Sequence, residues 1–385
     1  MSSAPIAETS PAAETGASTA PSELPAVEVT GLQKSYRGHR HQAPVVALKG
    51  VDITVHPGEF LVLLGPSGCG KTTTLRSIAG LETPDAGRIE VSGRTVYDGQ
   101  QGINLPPERR RLGMVFQSYA LWPHLTVARN IAFPLRSKKD LKRGEIDERV
   151  DDILTRMSIA GLGHRYPAEL SGGQQQRVSL ARALVENPAV VLFDEPLSSV
   201  DAAVRRDLRA ELRELKERNN FAGVYVTHDQ DEAMELGDTV AVMGSGTVLQ
   251  LDTPRNLYER PQSVGVGTLV GRMNVLPAEL VVDGDAAVAR SVLGAVPVTL
   301  ETASSAGEGR LGIRPEDVVL SAAPTPRSVE ATVRTTLFLG AHLDVVLEVG
   351  GTPIVASPSR EGPVYQPGQS VWIDTARSRV RWVSA

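Results

Sequence analysis

The chain has 385 residues, 41% of them hydrophobic and 22% charged, which suits a globular protein of two domains plus a tail. A net charge of −5 and a pI near 5.9 give no electrostatic footprint for nucleic acid, and none is expected as a partner. The only cysteine, Cys69, rules out an intrachain disulfide, and no apolar run approaches the roughly 20 residues that span a bilayer.

Residues 1–26 consist almost wholly of Ala, Ser, Thr, Pro and Glu, too little apolar surface to offset the entropy of ordering, so a disordered tail is predicted. It has neither the basic start nor the apolar core of a secretory signal. From Val27, short apolar runs at 27–32, 45–48 and 51–55 with turns between them predict an antiparallel start. Residues 60–64 are continuously apolar and predict a strand buried on both faces, followed by glycines and a helix over 71–79. Arg109, Arg110 and Arg111 read as a solvated or interface patch. Apolar residues at helical spacing predict a helix within 140–157 and another from Ser171 to near Glu186, stopped before Asn187-Pro188.

A buried strand over 189–193, a helix from about Asp201 and a strand over 224–226 continue the alternation of a mostly parallel sheet. Residues 239–243 and 247–251 flank Gly244-Ser245-Gly246 as a hairpin. Beyond Pro261 come short Val-rich runs at 275–282, 296–300, 311–313, 329–333, 343–349 and 371–373. Gly and Pro punctuate them and long amphipathic helices are missing, which predicts a separate all-β domain. The expected organisation is a tail (1–26), an α/β body (27–262) and a C-terminal β domain (263–385).

Gly65-Pro66-Ser67-Gly68-Cys69-Gly70-Lys71-Thr72 matches the G-x-x-x-x-G-K-[ST] phosphate loop, between a buried strand and a helix as that loop requires. Its glycines let backbone N–H groups converge on phosphate oxygens at a helix N-terminus. Lys71 is expected to neutralise the β and γ phosphates and Thr72 to offer its hydroxyl to Mg²⁺, with Thr73 beside it at the nucleotide. Asp194-Glu195 ends a later buried strand, where α/β sheets hold their ligands. Asp194 would anchor Mg²⁺ through water, and Glu195 would polarise or orient the attacking water. Cys69 is either a thiol of lowered pKa whose alkylation blocks ATP binding, or an unreactive shielded one. Leu170-Ser171-Gly172-Gly173-Gln174, taken alone, reads as a capped helix start.

With the phosphate loop and the Asp-Glu pair in this order and spacing, residues 27–385 resemble the ATP-binding subunits of ABC transporters. The resemblance implies an α/β P-loop NTPase domain with a helical subdomain, plus a C-terminal all-β domain of OB-like or TOBE type. It implies that Tyr36 stacks on adenine, that Gln117 senses Mg²⁺ and the attacking water, and that His228 touches the γ-phosphate. Asp201 closes the loop 198–201, where Ser199 and Val200 depart from the more usual Ser-Asn/Ala-Leu-Asp. Ser171, Gly172, Gly173 and Gln174 are implied to bind the γ-phosphate held by the other chain of a head-to-tail homodimer, so that two copies complete two sites.

Residues 118–124 resemble the segment that meets the coupling helix of a membrane subunit. Gly312-Ile313-Arg314-Pro315-Glu316-Asp317-Val318 resembles the regulatory β domain of importer ATPases for sugars, polyamines, iron(III) and phosphonates, and the spacing in 271–276 leans toward polyamine or iron(III) systems. The implied partners are a second copy of the chain, integral-membrane permease subunits and, indirectly, a periplasmic or extracellular solute-binding protein. The implied location is peripheral, on the cytoplasmic face of the cell membrane. A soluble ABC ATPase without a permease is the alternative; such proteins usually carry two cassettes or DNA-binding insertions, and this chain has one cassette.

Overall fold

The computed structural model describes residues 24–37, 44–136, 141–198, 200–219, 221–283, 286–298, 307–340 and 342–383. The expected tail lies outside them except for its last three residues. There Ala26 is already docked: its N–H donates to Val55 and its carbonyl accepts from Ser92.

The chain opens with β1 (Val27–Tyr36), β2 (Val45–Val55), β3 (Phe60–Leu64), α1 (Lys71–Ala79), β4 (Ala86–Val91), β5 (Arg94–Asp98), β6 (Ile103–Asn104) and β7 (Gly113–Val115). Three helices follow, α2 (Val127–Arg136), α3 (Arg143–Arg156) and α4 (Gly172–Leu184). The alternating part is β8 (Val190–Asp194), α5 (Ala202–Asn219), β9 (Ala222–Thr227), α6 (Gln230–Leu236), β10 (Thr239–Gly244) and β11 (Thr247–Asp252). The predicted bounds of β3 and α1 match, and the helix expected from Ser171 begins one residue later because Ser171 is its cap.

Two sheets form this part. The antiparallel one has the order β2-β1-β4-β5-β6, and the other β11-β10-β3-β9-β8-β7, with β10, β3, β9, β8 and β7 mutually parallel. Side chains alternate across a strand, so β3 sends Phe60, Val62 and Leu64 into a core shared with α2, α3 and α4. Leu61 and Leu63 enter a second core shared with α1 and the antiparallel sheet. The same division splits β8, with Val191 and Phe193 on one side and Val190 and Leu192 on the other. A strand walled by two cores has no polar face, which is why its sequence is continuously apolar. Gly223 in β9 makes room for this packing: a Cβ there would lie 2.4 Å from the Phe60 ring.

Arg110 corrects the reading of residues 109–111 as a solvated patch, because it is 2% exposed. Its guanidinium donates to the carbonyls of Ser77 (2.6 Å), Ile78 (2.9 Å) and Leu105 (2.8 Å) and to Asn104 Oδ1 (3.0 Å). The last carbonyls of α1 have no partners within the helix, and a cation there also meets the negative end of the helix dipole. Burial draws the Arg110 pKa down to about 10, so it stays charged at neutral pH. Cys69 is 4% exposed and packs in the second core, which supports the shielded reading of its thiol.

The remaining elements are α7 (Pro254–Glu259), α8 (Val264–Leu269), β12 (Asn274–Asp283), β13 (Ala286–Ser291), β14 (Gly294–Pro297), β15 (Gly307–Ile313), β16 (Leu320–Ser321), β17 (Ser328–Phe338), β18 (Leu343–Val349), β19 (Thr352–Ala356), β20 (Ser370–Asp374) and β21 (Val380–Val383). The last ten build two five-stranded antiparallel sheets, β14-β13-β12-β15-β21 and β16-β20-β17-β18-β19, around a third core. The run expected over 296–300 enters β14 only as far as Pro297, and Leu300 lies outside the described residues. Val266 and Val270 pack into the first core, so the change of core falls between Val270 and Leu276, past the expected boundary at 262. Arg314 spans that junction. It donates to the carbonyls of Gly267 (2.8 Å), Arg272 (3.1 Å) and Tyr258 (3.1 Å), and its guanidinium lies 4.1 Å from the Tyr258 ring centroid.

Arg110→Met should cost about 3 kcal/mol of stability, the penalty for orphaning buried carbonyls, and appear as an earlier urea midpoint. An unchanged midpoint would show those contacts to be dispensable. Cys69 should react with a thiol reagent such as DTNB only as the protein unfolds; rapid release of one thiol per folded chain would contradict its burial.

Candidate nucleotide site

Parallel strands bring their C-terminal ends to one edge, and four of them deliver the site there. In sheet order β3 leads into the phosphate loop, β9 into His228, β8 into Asp194 and Glu195, and β7 into Gln117. No two of these groups need be close in sequence, because the register of the sheet places them.

The phosphate loop runs from Gly65 to α1 with Gly68 at φ +81° and Gly70 at φ +108°, a backbone region that L side chains rarely adopt. A Cβ on Gly65 would meet the Met243 carbonyl at 2.4 Å and Cys69 Sγ at 2.6 Å, and Pro66 and Ser67 continue the loop in the open. Lys71 is 4% exposed, and its Nζ donates to the carbonyls of Gly65 (2.7 Å) and Pro66 (3.0 Å). The ammonium therefore sits on the inner side of the loop, where the loop's own carbonyls compensate its charge. Tyr36, at the end of β1, reaches the same helix: its hydroxyl is 3.4 Å from Thr73 Oγ1 and the residue is 39% exposed.

Asp194 is almost fully buried and paired with Arg76 of α1 at 3.3 Å. Burial pushes its carboxyl above the ordinary value, while Arg76 and the Thr72 hydroxyl pull the other way. Glu195 is held with φ +45°, an unusual conformation for a residue with a Cβ. Its N–H donates to Val226, its carbonyl accepts from Ser198 Oγ (2.9 Å), and its Oε2 lies 3.3 Å from His228 Nδ1. The carboxylate and imidazole are thus joined across adjacent strand ends and both reach solvent.

Beneath His228 a buried network fixes the strand end. Glu232 accepts from Tyr225 (2.9 Å) and Thr227 (2.7 Å), and burial raises its pKa. Arg205 links the Val200 carbonyl (3.0 Å) to Asp229 (3.2 Å), so the loop ending at Asp201 is tied to the segment carrying His228. Asp201 itself caps α5 through the Val204 N–H (3.1 Å). Ser199 lies outside the described residues.

Ser171 and Gln174 close a capping box on α4, with the Gln174 N–H donating to Ser171 Oγ and the Ser171 N–H donating to Gln174 Oε1 at 3.0 Å. A Cβ added at Gly172 would meet the Tyr119 hydroxyl at 3.5 Å, and one at Gly173 would meet Val204 at 3.1 Å. The structure therefore brings together Tyr36, residues 65–73, Gln117, Asp194, Glu195 and His228 along one edge. Residues 171–174 present an exposed helix start elsewhere on the same chain.

Sequence reasoning missed Arg76, Arg205, Glu232 and Arg110. Arg76 is separated from Asp194 by 118 positions, so no local pattern announces the pair. A basic residue in the helix after the phosphate loop was the only available signal.

Comparison with known proteins agrees with this geometry. Residues 48–198 match the ABC transporter family and residues 311–383 the TOBE domain. The Fe(3+) ions import ATP-binding protein FbpC of Brucella abortus is 44% identical, over 82% of this chain and 87% of its own length. The trehalose/maltose import ATP-binding protein MalK of Thermococcus litoralis is 44% identical, over 84% and 89%. A dimeric ATP-binding cassette in a post-hydrolysis state bound to ADP and Pi aligns with TM-score 0.51 and 31% identity, covering 59% of this chain and 98% of that one. A phosphate loop, an acidic pair and a histidine on one parallel-sheet edge, a capped Leu-Ser-Gly-Gly-Gln helix start and these relatives together place the chain among the ATP-hydrolysing ATP-binding proteins of the ABC transporter family.

Proposed function

We propose that this ATPase works as a homodimer that drives solute import, each ATP lying between one chain's phosphate loop and the other chain's residues 171–174. The observation that carries the reading is the position of Ser171 to Gln174, a fully formed helix start, exposed at Ser171 and Gly172, that lies on α4 and not on the strand edge carrying the phosphate loop. A helix N-terminus is a ready anion site, and a second chain's γ-phosphate gives this one an occupant.

In each site Lys71 and the loop amides hold the phosphates while Tyr36 stacks on adenine. Thr72, Gln117 and Asp194 offer a hydroxyl, an amide oxygen and a carboxylate, a hard donor set that fits Mg²⁺ with the rest of its shell filled by phosphate and water. Bound Mg²⁺ would neutralise charge on the phosphates. Glu195 orients the attacking water, and His228, held 3.3 Å from it, contacts the γ-phosphate. Asp201 and the Arg205 bridge connect the partner-facing loop to His228. Closure of the dimer adds donors to the phosphates and excludes water, and hydrolysis removes that stabilisation.

Residues 118–124 and the cavity of about 250 Å³ lined by Leu112, Phe116, Trp122 and Glu186 form the face proposed to receive a permease subunit. Among the described residues no helix is long and apolar enough to cross a membrane, and we assign the chain to the cytoplasmic face as a peripheral subunit. The division of labour proposed is an ATP-binding body from 27 to about 270 and a regulatory β domain beyond it. Iron(III) or a polyamine is the proposed solute class, resting on the 271–276 spacing and, for iron(III), on relatives named for that ion.

Glu195→Gln should lower kcat by about a hundredfold or more and accumulate an ATP-bound dimer on size exclusion. A monomer with normal turnover would overturn both the base and the dimer. Ser171→Arg should leave nucleotide binding to the monomer intact while abolishing ATP-dependent dimerisation; a dimer that still forms would remove residues 171–174 from the interface. Uptake of labelled iron(III) in cells with the gene deleted should fall, and unchanged uptake of both iron(III) and polyamines would discard the proposed solute class.

A further inference from the structure

We propose that Arg182 is a positioning residue for ATP hydrolysis, one that locks the segment after Gln117 to the helix whose first turn carries Ser171 to Gln174. The inference rests on reading those residues as ATP-site groups. Tyr119 and Ala120 follow Gln117 at a distance of two and three residues, and both have left-handed backbones, with φ +58° and +49°. Two consecutive non-glycine residues in that region do not hold such a conformation unaided.

Arg182 supplies the constraint. It lies on α4, is 7% exposed, and uses its planar fork on both strained carbonyls: Nη1 donates to Ala120 at 2.6 Å and Nη2 to Tyr119 at 2.9 Å. Ser179, one turn earlier on α4, adds a bond from its hydroxyl to the Tyr119 carbonyl at 3.1 Å. The guanidinium lies 5.0 Å from the Trp122 ring centroid, and that ring packs on Phe133 of α2 at 4.0 Å. Asn130, buried in α2, bonds the Trp122 backbone in both directions. Residues 119–122 are thus clamped from two helices, and the clamp stands between Gln117 and α4.

The consequence is mechanical. A displacement of the segment after Gln117 is passed to the two carbonyls that Arg182 grips, and from there to α4 as a rigid rod. The helix start that meets the partner's nucleotide and the glutamine at the chain's own nucleotide move together. Arg182 touches neither ATP nor water in this scheme.

The test is a double-mutant cycle on the full-length protein, because glycine adopts a left-handed backbone without strain and needs no clamp. Arg182→Met should lower kcat by about tenfold while the equilibrium dissociation constant for a fluorescent ATP analogue changes less than about twofold. Adding Ala120→Gly to Arg182→Met should restore kcat by about threefold or more, which loss of packing alone would not permit. If Arg182→Met is not recovered folded, Arg182→Lys carries the same comparison, since one ammonium cannot reproduce the fork over both carbonyls. Unchanged kcat in the substituted protein, parallel loss of kcat and nucleotide binding, or no rescue by Ala120→Gly overturns the proposal. Failure of the ATPase reading itself would show separately, as no hydrolysis by the wild type or none lost in Lys71→Ala.

Discussion

The structure depends on the burial of β3, β9 and β8 between two hydrophobic cores. Each strand sends alternate residues into opposite cores, and the parallel hydrogen-bond register between the strands leaves almost no freedom to slip. A one-residue slip would exchange the two cores' side chains and move Asp194 or His228 by a strand step. The edge that carries the candidate site inherits its precision from this constraint: loops that are free on their outer sides are fixed at their roots. The Phe60, Phe193, Phe221 and Tyr225 rings, with centroid separations from 5.4 to 6.4 Å, fill the space between the sheet and its helices.

Charge is distributed so that the functional groups stay available. Lys71 is compensated by backbone carbonyls and Asp194 by Arg76, and α1 supplies the cation of both pairs. Binding a nucleotide would exchange carbonyls for phosphate at Lys71, while Asp194 keeps a partner that tempers its burial. Left-handed backbone occurs at several non-glycine residues, among them Glu195 at the site itself and Tyr119 and Ala120, two and three residues past Gln117.

Much of this was legible in the sequence where chemistry is local. The phosphate loop, α1, β3 and the start of α4 follow from contiguous patterns, since glycine spacing, an unbroken apolar run and a Ser cap act within a few residues. Illegible features arise from pairing across distance. Arg110 sits in a run of three arginines that looks solvated, yet the open end of α1, more than 30 residues earlier, draws it inside. Strands β4 and β5 carry Arg88, Glu90 and Thr95 on an exposed face, where they bond to one another, so no apolar run betrayed them. The side taken by the stretch after 262 was not legible either, because α8 is short and rich in glycine, and only its contacts show which core it joins.

Arg314 gives the junction between the two parts a particular mechanical character. One planar guanidinium bonds the C-terminal carbonyls of two short helices and the linker at once, and also stacks on Tyr258. These contacts share one rigid fork, so any change in the angle between the short helices and the β domain is felt at several bonds together, and the Tyr258–Glu316 and Arg381–Tyr258 contacts reinforce the same joint.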